Sequence, residues 1–376
     1  MNVPKLRFKE FNNLWQNEKL EDAVEFLDEK RKPIKDSDRN NIKGEYPYYG
    51  ASGIIDYIND YIFDEDLLLL GEDGANILSR STKLVFKATG KYWVNNHAHV
   101  LKPKENYNID FLESYLENIN YEPYNTGTAQ PKLNQEVCKK INIKIPSLKE
   151  QEKIGKTLSL LDKKIELQSK KIEGLKLFKV RTLDRYFNKN INETRSLLKN
   201  YCFCLTGKSK VDKVDMNGKY YIMDMGTVNA DGNILKIKPT FCNSDLLSYG
   251  DLVMPKDDIG GGLIIGKTGF IDEDNKYILG DHVYLLKTKD INSLFLHYQI
   301  NSRYINRQLK RKVTGSAQLG LKSDNILNQE IFVYSDNNQK KIANIFKLMD
   351  KKIGLECNEL NKLLEYKKGL MQNMFV

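Results

Sequence analysis

No apolar stretch in this sequence is long enough to cross a bilayer; the longest aliphatic run, Leu67–Leu70, has the length of a buried strand. The opening Met1-Asn-Val-Pro-Lys lacks the apolar core of a signal peptide, which predicts a cytoplasmic protein with no membrane partner. The five cysteines, Cys138, Cys202, Cys204, Cys242 and Cys357, are odd in number and show no Cys-x-x-Cys spacing. That pattern suits reduced thiols in a cytosolic protein and gives no basis for a zinc site; Cys202 and Cys204 share one face of an expected strand. Catalytic signatures are missing as well. We find no strong Ser-His-Asp grouping, no Asn-Pro-Pro-aromatic base-methylation motif and no Gly-rich cofactor loop opening a helix. These absences favour a binding protein over an enzyme.

What the sequence does contain is a repeat at a constant offset of 188 residues. Gln151-Glu-Lys-Ile-Gly-Lys-Thr-Leu-Ser-Leu-Leu-Asp162-Lys-Lys-Ile165 returns without a gap as Gln339-Lys-Lys-Ile-Ala-Asn-Ile-Phe-Lys-Leu-Met-Asp350-Lys-Lys-Ile353, and Phe187 returns as Phe375. The same offset carries Thr126-Gly-Thr-Ala-Gln130 onto Thr314-Gly-Ser-Ala-Gln318. A period this long holds a domain and a helix, unlike the short unit of a solenoid. The expected division is a first domain over 1–148, a helix over 149–187, a second domain over 188–338 and a second helix over 339–376.

Both repeated segments carry the four-three apolar spacing of a helix seam. The first offers Ile154, Leu158, Leu161, Ile165, Ile172 and Leu175; the second offers Ile342, Phe346, Met349, Ile353, Leu360 and Leu363. Two such stripes call for burial against each other. A whole domain separates them in sequence, so an antiparallel pair is expected, each helix of some 35 residues spanning roughly 50 Å. Polar Gln168 and Glu356 interrupt the seams at matching places, and a mutual contact fixing the register is one expectation; partly exposed rim positions are the other.

The formal net charge of +9 is unevenly spread: −3 over residues 1–148, +5 over 149–187, +3 over 188–338 and +4 over 339–376. The excess lies on the helices. The globular parts can therefore meet nucleic acid only through local patches, and the isolated chain is expected to bind it weakly.

Each globular part has the alternation of a mixed, mainly antiparallel sheet with short helices, an α+β arrangement within the α/β class. Expected strands are Tyr57–Phe63, Asp66–Leu70, Lys83–Phe86 and Ala98–Leu101 in the first, and Tyr220–Met223, Asp251–Met254, Gly262–Ile265 and His282–Leu286 in the second. Helices are expected over Ile109–Asn118 and near Ser293–Gln308, with a linker near Phe187–Asn192. The polar loops between them supply candidates for contact with base edges or phosphates. In the first part these are Lys43, Tyr48, Tyr49, Ser52, Asn76, Ser79, Arg80, Gln130 and Lys132. In the second they are Lys208, Lys210, Lys256, Arg303, Arg307, Gln318 and Lys322, with Lys310, Arg311 and Lys312 extending the basic stretch where the first has Glu122-Pro-Tyr124. Tyr48 and Tyr49 equally suit packing, and the basic stretch equally suits a solvated face.

Two motifs point elsewhere. Gly261-Gly-Leu-Ile-Ile-Gly-Lys-Thr268 fits the phosphate-binding P-loop pattern, which would make the chain an ATP-binding enzyme. That chemistry needs a helix after the loop, whereas Gly269 onwards has the pattern of strand and turn. His97-Ala-His99 could offer two metal ligands, without further acidic or thiol ligands nearby in sequence.

Taken together, Tyr48-Tyr-Gly-Ala-Ser-Gly-Ile-Ile-Asp56, Leu68-Leu-Leu-Gly-Glu-Asp-Gly74, Trp93-Val-Asn-Asn-His-Ala-His-Val100, Gly127-Thr-Ala-Gln-Pro-Lys-Leu133 and Ile145-Pro-Ser-Leu-Lys-Glu-Gln151 resemble the DNA-specificity subunit of type I restriction-modification enzymes over nearly the whole chain. The resemblance implies two target recognition domains, each reading one half of a bipartite double-stranded DNA target. It implies two long antiparallel conserved helices, forming a coiled coil, that separate the domains, set the spacer and dock two methylation subunits, with restriction subunits outside them. It further implies a non-catalytic chain that binds no cofactor or metal itself; S-adenosylmethionine belongs to the methylation subunits, ATP and Mg to the restriction subunits. Tyr334-Ser-Asp-Asn-Asn-Gln339 and Met254-Pro-Lys-Asp-Asp258 depart from the corresponding first-copy motifs, so loop contacts differ between copies. A coiled-coil scaffold whose globular parts bind protein is the rival from a different class.

Overall fold

The computed structural model describes residues 3–315 and 318–376. Its contacts divide the chain into two compact units, Met1–Ser169 with Asn358–Val376, and Lys170–Cys357. Each unit therefore owns one globular head and a piece of both long helices.

In the first unit a four-stranded antiparallel sheet has the order Val24–Phe26, Ala98–Pro103, Leu67–Gly71, Val85–Ala88. Its inner strand Leu67–Gly71 is buried throughout, and successive side chains leave opposite faces. Leu68 and Leu70 enter the core shared with the helix Ile109–Glu117; Leu67 and Leu69 enter a second core with Phe63, Tyr92 and Val94. Burying four leucines contributes about 1.5–3 kcal/mol each. A second sheet orders Gly53–Ile58, Lys43–Gly50, Lys91–Val94 and Phe63–Asp64, with Tyr48 beside Trp93 in a parallel pairing. The expected strand Tyr57–Phe63 is in fact broken, ending at Ile58 and resuming at Phe63.

The second unit repeats this plan. Its antiparallel sheet has the order Cys202–Thr206, Val283–Thr288, Leu252–Pro255, Gly269–Phe270, and a parallel pairing joins Tyr221–Met223 to Tyr277–Leu279. The segment Gly262–Ile265 is not the expected strand; Gly261, Gly262 and Gly266 take φ of 76°, 83° and 72°, left-handed values that break extension. The helical stretch after Asn292 is two helices, Ser293–Asn301 and Arg303–Lys310, broken at extended Ser302.

The long helices are Leu148–Tyr186 and Asp336–Met374, 39 residues each. The glutamines that open the repeat anchor them. Gln151 accepts from Asn108 N at 2.9 Å and donates to Pro146 O at 3.0 Å. Gln339 likewise accepts from Asn292 N at 2.8 Å and donates to Tyr334 O at 2.7 Å. Asn108 and Asn292 are themselves the N-caps of the head helices, accepting from Phe111 N and Phe295 N. One buried amide thus ties each long helix to its head.

Within each unit the two helical pieces run antiparallel. In the second, Lys171 Nζ lies 2.8 Å from Glu356, and Lys179 pairs with Asp350. In the first, Lys367 pairs with Asp162, the same pair carried through the repeat. Of the seam positions, Ile154, Leu158, Ile172, Ile342, Phe346 and Leu363 are buried, while Leu161, Ile165, Leu175, Met349, Ile353 and Leu360 are half-buried. Glu356 is buried and held by Lys171 and Lys352, both at 2.8 Å. Phe187 is a core residue, contrary to its expected place in a linker: it meets Phe295 edge-on at 5.5 Å in the second unit. Its repeat partner Phe375 meets Phe111 edge-on at 5.9 Å in the first. No helix among the described residues is long and apolar enough to cross a membrane.

Candidate nucleic-acid interface

Three of the polar loops singled out in the first head meet along one edge of it. Gly74 N donates to Pro131 O at 3.0 Å and Leu133 N to Glu72 O at 2.7 Å, which joins the Gly71–Arg80 loop to the Thr126–Lys132 loop. A side chain on Gly71 would lie 2.6 Å from Ala51 O, so that residue must be glycine for the Ala51–Gly53 turn to come this close. Exposed Ser52, Ser79, Gln130 and Lys132 stand on these loops, as does half-buried Asn76, while exposed Lys43 is held by Asp56. The second head builds the same edge. Asp257–Asp258 pairs with Leu319–Gly320, and Leu321 N donates to Lys256 O at 2.9 Å. Gln318 and Lys322 are exposed beside it; Ser316 and Ala317 of the repeated Thr-Gly-Ser-Ala-Gln motif lie outside the described residues. Lys208 is also exposed.

Both edges carry a histidine that the sequence did not single out for this role. His97 Nδ1 lies 2.7 Å from Asp73 Oδ2, and His282 Nδ1 lies 3.0 Å from Asp257 Oδ2. Such a carboxylate fixes the ring through Nδ1 and leaves Nε2 for another partner; in His282 that nitrogen lies 4.0 Å from Asp281 Oδ2. His97 and His99 are not a metal pair; their rings turn to different carboxylates.

Other candidates are committed to the fold. Tyr48 is buried, its hydroxyl accepting from Ile34 N at 2.9 Å beneath the Arg39 guanidinium. Half-buried Tyr49 stacks on Phe86. Lys210 is buried, with Asp245 at 2.8 Å and Leu279 O at 2.7 Å. Tyr48 and Lys210 are therefore structural and offer no surface to a ligand. Asn76 accepts from Thr82 N to hold its own loop, Arg80 pairs with Glu117 over the Tyr121 ring, and Lys256 donates to Asp281 O.

The basic stretch of the second head is a built surface. Arg303, Arg307 and Arg311 recur every fourth residue, so they share one face of the Arg303–Lys310 helix and its end. All three are exposed around a groove of about 540 Å³ with Lys189, Tyr304 and Gln308. Arg303 reaches Asp184 only at 3.5 Å, and the groove keeps a strong positive excess. It suits phosphate oxygens.

The P-loop pattern does not form its site. Asp258 takes the amides of Gly260, Ile264 and Ile265 at 2.6, 2.8 and 3.2 Å, so a carboxylate occupies the place a phosphate would need. A strand, Gly269–Phe270, follows where a helix is required. Burial pushes the Cys202 thiol up to about 12 and that of Cys204 up to about 11, which keeps both protonated in the free chain.

Behind the first edge, His99 braces the sheet. Nδ1 lies 2.6 Å from Asp28 Oδ2 and Nε2 2.8 Å from Leu133 O, two acceptors that only an imidazolium can satisfy at once. Burial works against that charge, but the hydrogen bond to Asp28 and the neighbouring Cys138 outweigh it and raise the imidazole to about 10. Arg31, 2.7 Å from Glu72 and 3.3 Å from Asp28, balances the carboxylates around it. Because the folded value lies above the unfolded one of about 6.5, this contribution is complete below pH ~6.5 and vanishes as pH rises through 10. Melting temperature measured from pH 7 to 10 should fall for the native protein and fall less for His99→Gln; parallel slopes would refute the charged brace.

Comparison with known proteins agrees with this geometry. The model of the type I restriction modification DNA specificity domain matches residues 12–177 and 201–365. A putative type I restriction enzyme specificity subunit of Haemophilus influenzae is 38% identical over 142 residues, covering 38% of this chain and 36% of the relative. The MjaVIII specificity subunit of Methanocaldococcus jannaschii is 25% identical over 415 residues, covering 97% of this chain and 94% of the relative. In fold, the chain is similar to the crystal structure of a type I system S subunit from M. genitalium, with a TM-score of 0.71 at 15% identity over 100% of this chain and 99% of that one. A chain from a study of type I system assembly and conformational transition has a TM-score of 0.56 at 12% identity, over 98% and 99%. With two specificity domains laid over two repeated heads, the chain belongs to the type I restriction-modification DNA specificity family, as a subunit for recognising DNA sequence.

Proposed function

We propose that each head reads one half of a bipartite target in double-stranded DNA, that the long helices set the number of unread base pairs between the halves, and that the chain catalyses nothing itself. Methylation subunits, with S-adenosylmethionine, would dock on the helices; restriction subunits, with ATP and Mg, would join the full assembly. The observation that carries this reading is one edge built twice with different side chains. The His–Asp brace recurs, whereas basic Lys310-Arg-Lys312 stands where the first head has the acidic and aromatic Glu122-Pro-Tyr124. Constant scaffolding with altered contacts is what two unlike half-sequences require.

Mapping modified bases in cells that hold this chain with its methylating partner is the test. The expected result is one interrupted sequence with two different halves. An uninterrupted target, or the same methylation without the chain, overturns the proposal. Arg303→Ala with Arg307→Ala should weaken DNA binding by the assembled complex across all sequences. The salt dependence should become shallower by about one unit of slope per lost phosphate contact. An unchanged slope would place the groove away from DNA.

The helices supply the docking argument. Leu160, Leu167 and Phe178 on the first are 59%, 57% and 56% exposed; their repeat partners Leu348, Leu355 and Tyr366 on the second are 57%, 56% and 61% exposed. At 3.6 residues per turn, each set returns to one side of its helix, away from the seam. A duplicated apolar stripe exposed to solvent fits a protein partner present twice.

A further inference from the structure

The two heads place a lysine at the same point, two residues before the outer strand of the sheet: Lys83 before Val85–Ala88 and Lys267 before Gly269–Phe270. In the first unit that lysine is neutralised, with Glu113 and Asp162 each 3.3 Å away. Counting from the caps Asn108 and Asn292, Glu113 becomes His297 in the second unit and Glu117 becomes Asn301. Lys267 Nζ has a backbone partner there, Asn301 O at 3.2 Å, and no carboxylate partner among the described residues. Asp350, the repeat of Asp162, is occupied by Tyr298 Oη at 2.8 Å and by Lys179. His297 is buried; burial first, then Lys179 and Lys267, hold its imidazole down to about 3, so it adds no negative or positive charge.

A cavity of about 140 Å³ opens at this point, lined by Lys176, Lys179, Lys267, His297 and Tyr298, with Asp231 and Asp350 as its acids. Asp350 is already taken by Lys179, and the cavity keeps a cationic excess: burial first, then Lys310 and Lys179, lower the Lys267 amine to about 8, with Asp231 only partly opposing them. An oxyanion would relieve that cost.

We propose that this cavity binds a tetrahedral phosphate-type oxyanion, with Lys267 as its principal ligand and Lys176 and Lys179 flanking it. The site is separate from the P-loop geometry excluded above, because its ligands are side chains and the loop amides stay with Asp258. It also stands independently of DNA reading by the loop edges. The oxyanion can come from free phosphate or from a phosphate of the DNA backbone.

The full chain is labelled by trace acetylation, with and without inorganic phosphate, and each lysine is followed by mass spectrometry. Phosphate should protect Lys267 and leave Lys83 unchanged. Calorimetric affinity for phosphate should drop about tenfold or more in Lys267→Met and stay level in Lys83→Met, with melting curves checking that both variants fold. A duplex that protects Lys267 and competes with phosphate assigns the DNA backbone as the source; phosphate binding indifferent to the duplex assigns the free ion. Labelling of Lys267 insensitive to phosphate in the native chain, or equal affinities in native and Lys267→Met proteins, overturns the site.

Discussion

Replacing residues 1–145 by the corresponding part of another family member should change one half of the methylated sequence completely and leave the other half untouched. The expectation follows from where the connections to the helices lie. The first head is fixed to its helix pieces through Gln151 on the Asn108 cap and through Ile154, Leu158, Leu370, Met374 and Phe375 against Phe111 and Tyr115. None of these contacts uses the loop edge. An incoming head that keeps the cap and the two aromatics therefore docks as the native one does, while bringing new loops. One that loses Phe111 leaves Phe375 with only Tyr115 of its two ring partners and should cost about 3–5 kcal/mol, a folding failure rather than a change of specificity. Base mapping on folded exchanges distinguishes the outcomes. An alteration in both halves would mean the heads do not read separately; no alteration would favour a scaffold whose heads bind protein.

Much of this organisation is legible in the residues because it repeats. Gln151, Asp162 and Phe187 return as Gln339, Asp350 and Phe375, and each returns to the same job: helix anchor, interhelical ion pair, core aromatic. The inner strand Leu67–Leu70 is equally plain, since burial on both faces demands an unbroken apolar run. Side-chain roles in the heads are harder. Tyr48 lies within the strand Lys43–Gly50, where alternation turns it inwards, but the glycines around it give the segment the composition of a loop. Lys210 is removed from the surface by Asp245 and Leu279, partners far along the chain that no local pattern reveals. Gly262–Ile265 has a strand's apolar residues and lacks its backbone, because three glycines of positive φ enclose it. The His–Asp braces join distant loops and become visible only when the sheet has brought them together.

The heptad spacing marks the seam but not the exposed stripe away from it, and the difference has a large consequence. Leu167→Asp combined with Leu355→Asp should abolish assembly with the methylation subunits while leaving this chain folded. Both side chains are more than half exposed, so a charge at either position meets water and costs the isolated chain within about 0.5 kcal/mol. In a docked complex the same carboxylates would be buried without a partner, and two central interface positions of this kind cost at least about 2 kcal/mol each, a loss of affinity of several hundredfold for the pair. Four proteins decide the matter by light scattering of the mixed subunits. The native chain should form the larger complex and the double variant should not. A chain with Leu14→Asp, changed at an apolar residue 68% exposed on the first unit, should assemble normally. Ile172→Asp serves as the opposite control, since that seam residue is buried and a charge there should unfold the helix pair. Normal assembly of the double variant would move the partner surface off this stripe, and the long helices would then have to be read as spacers alone.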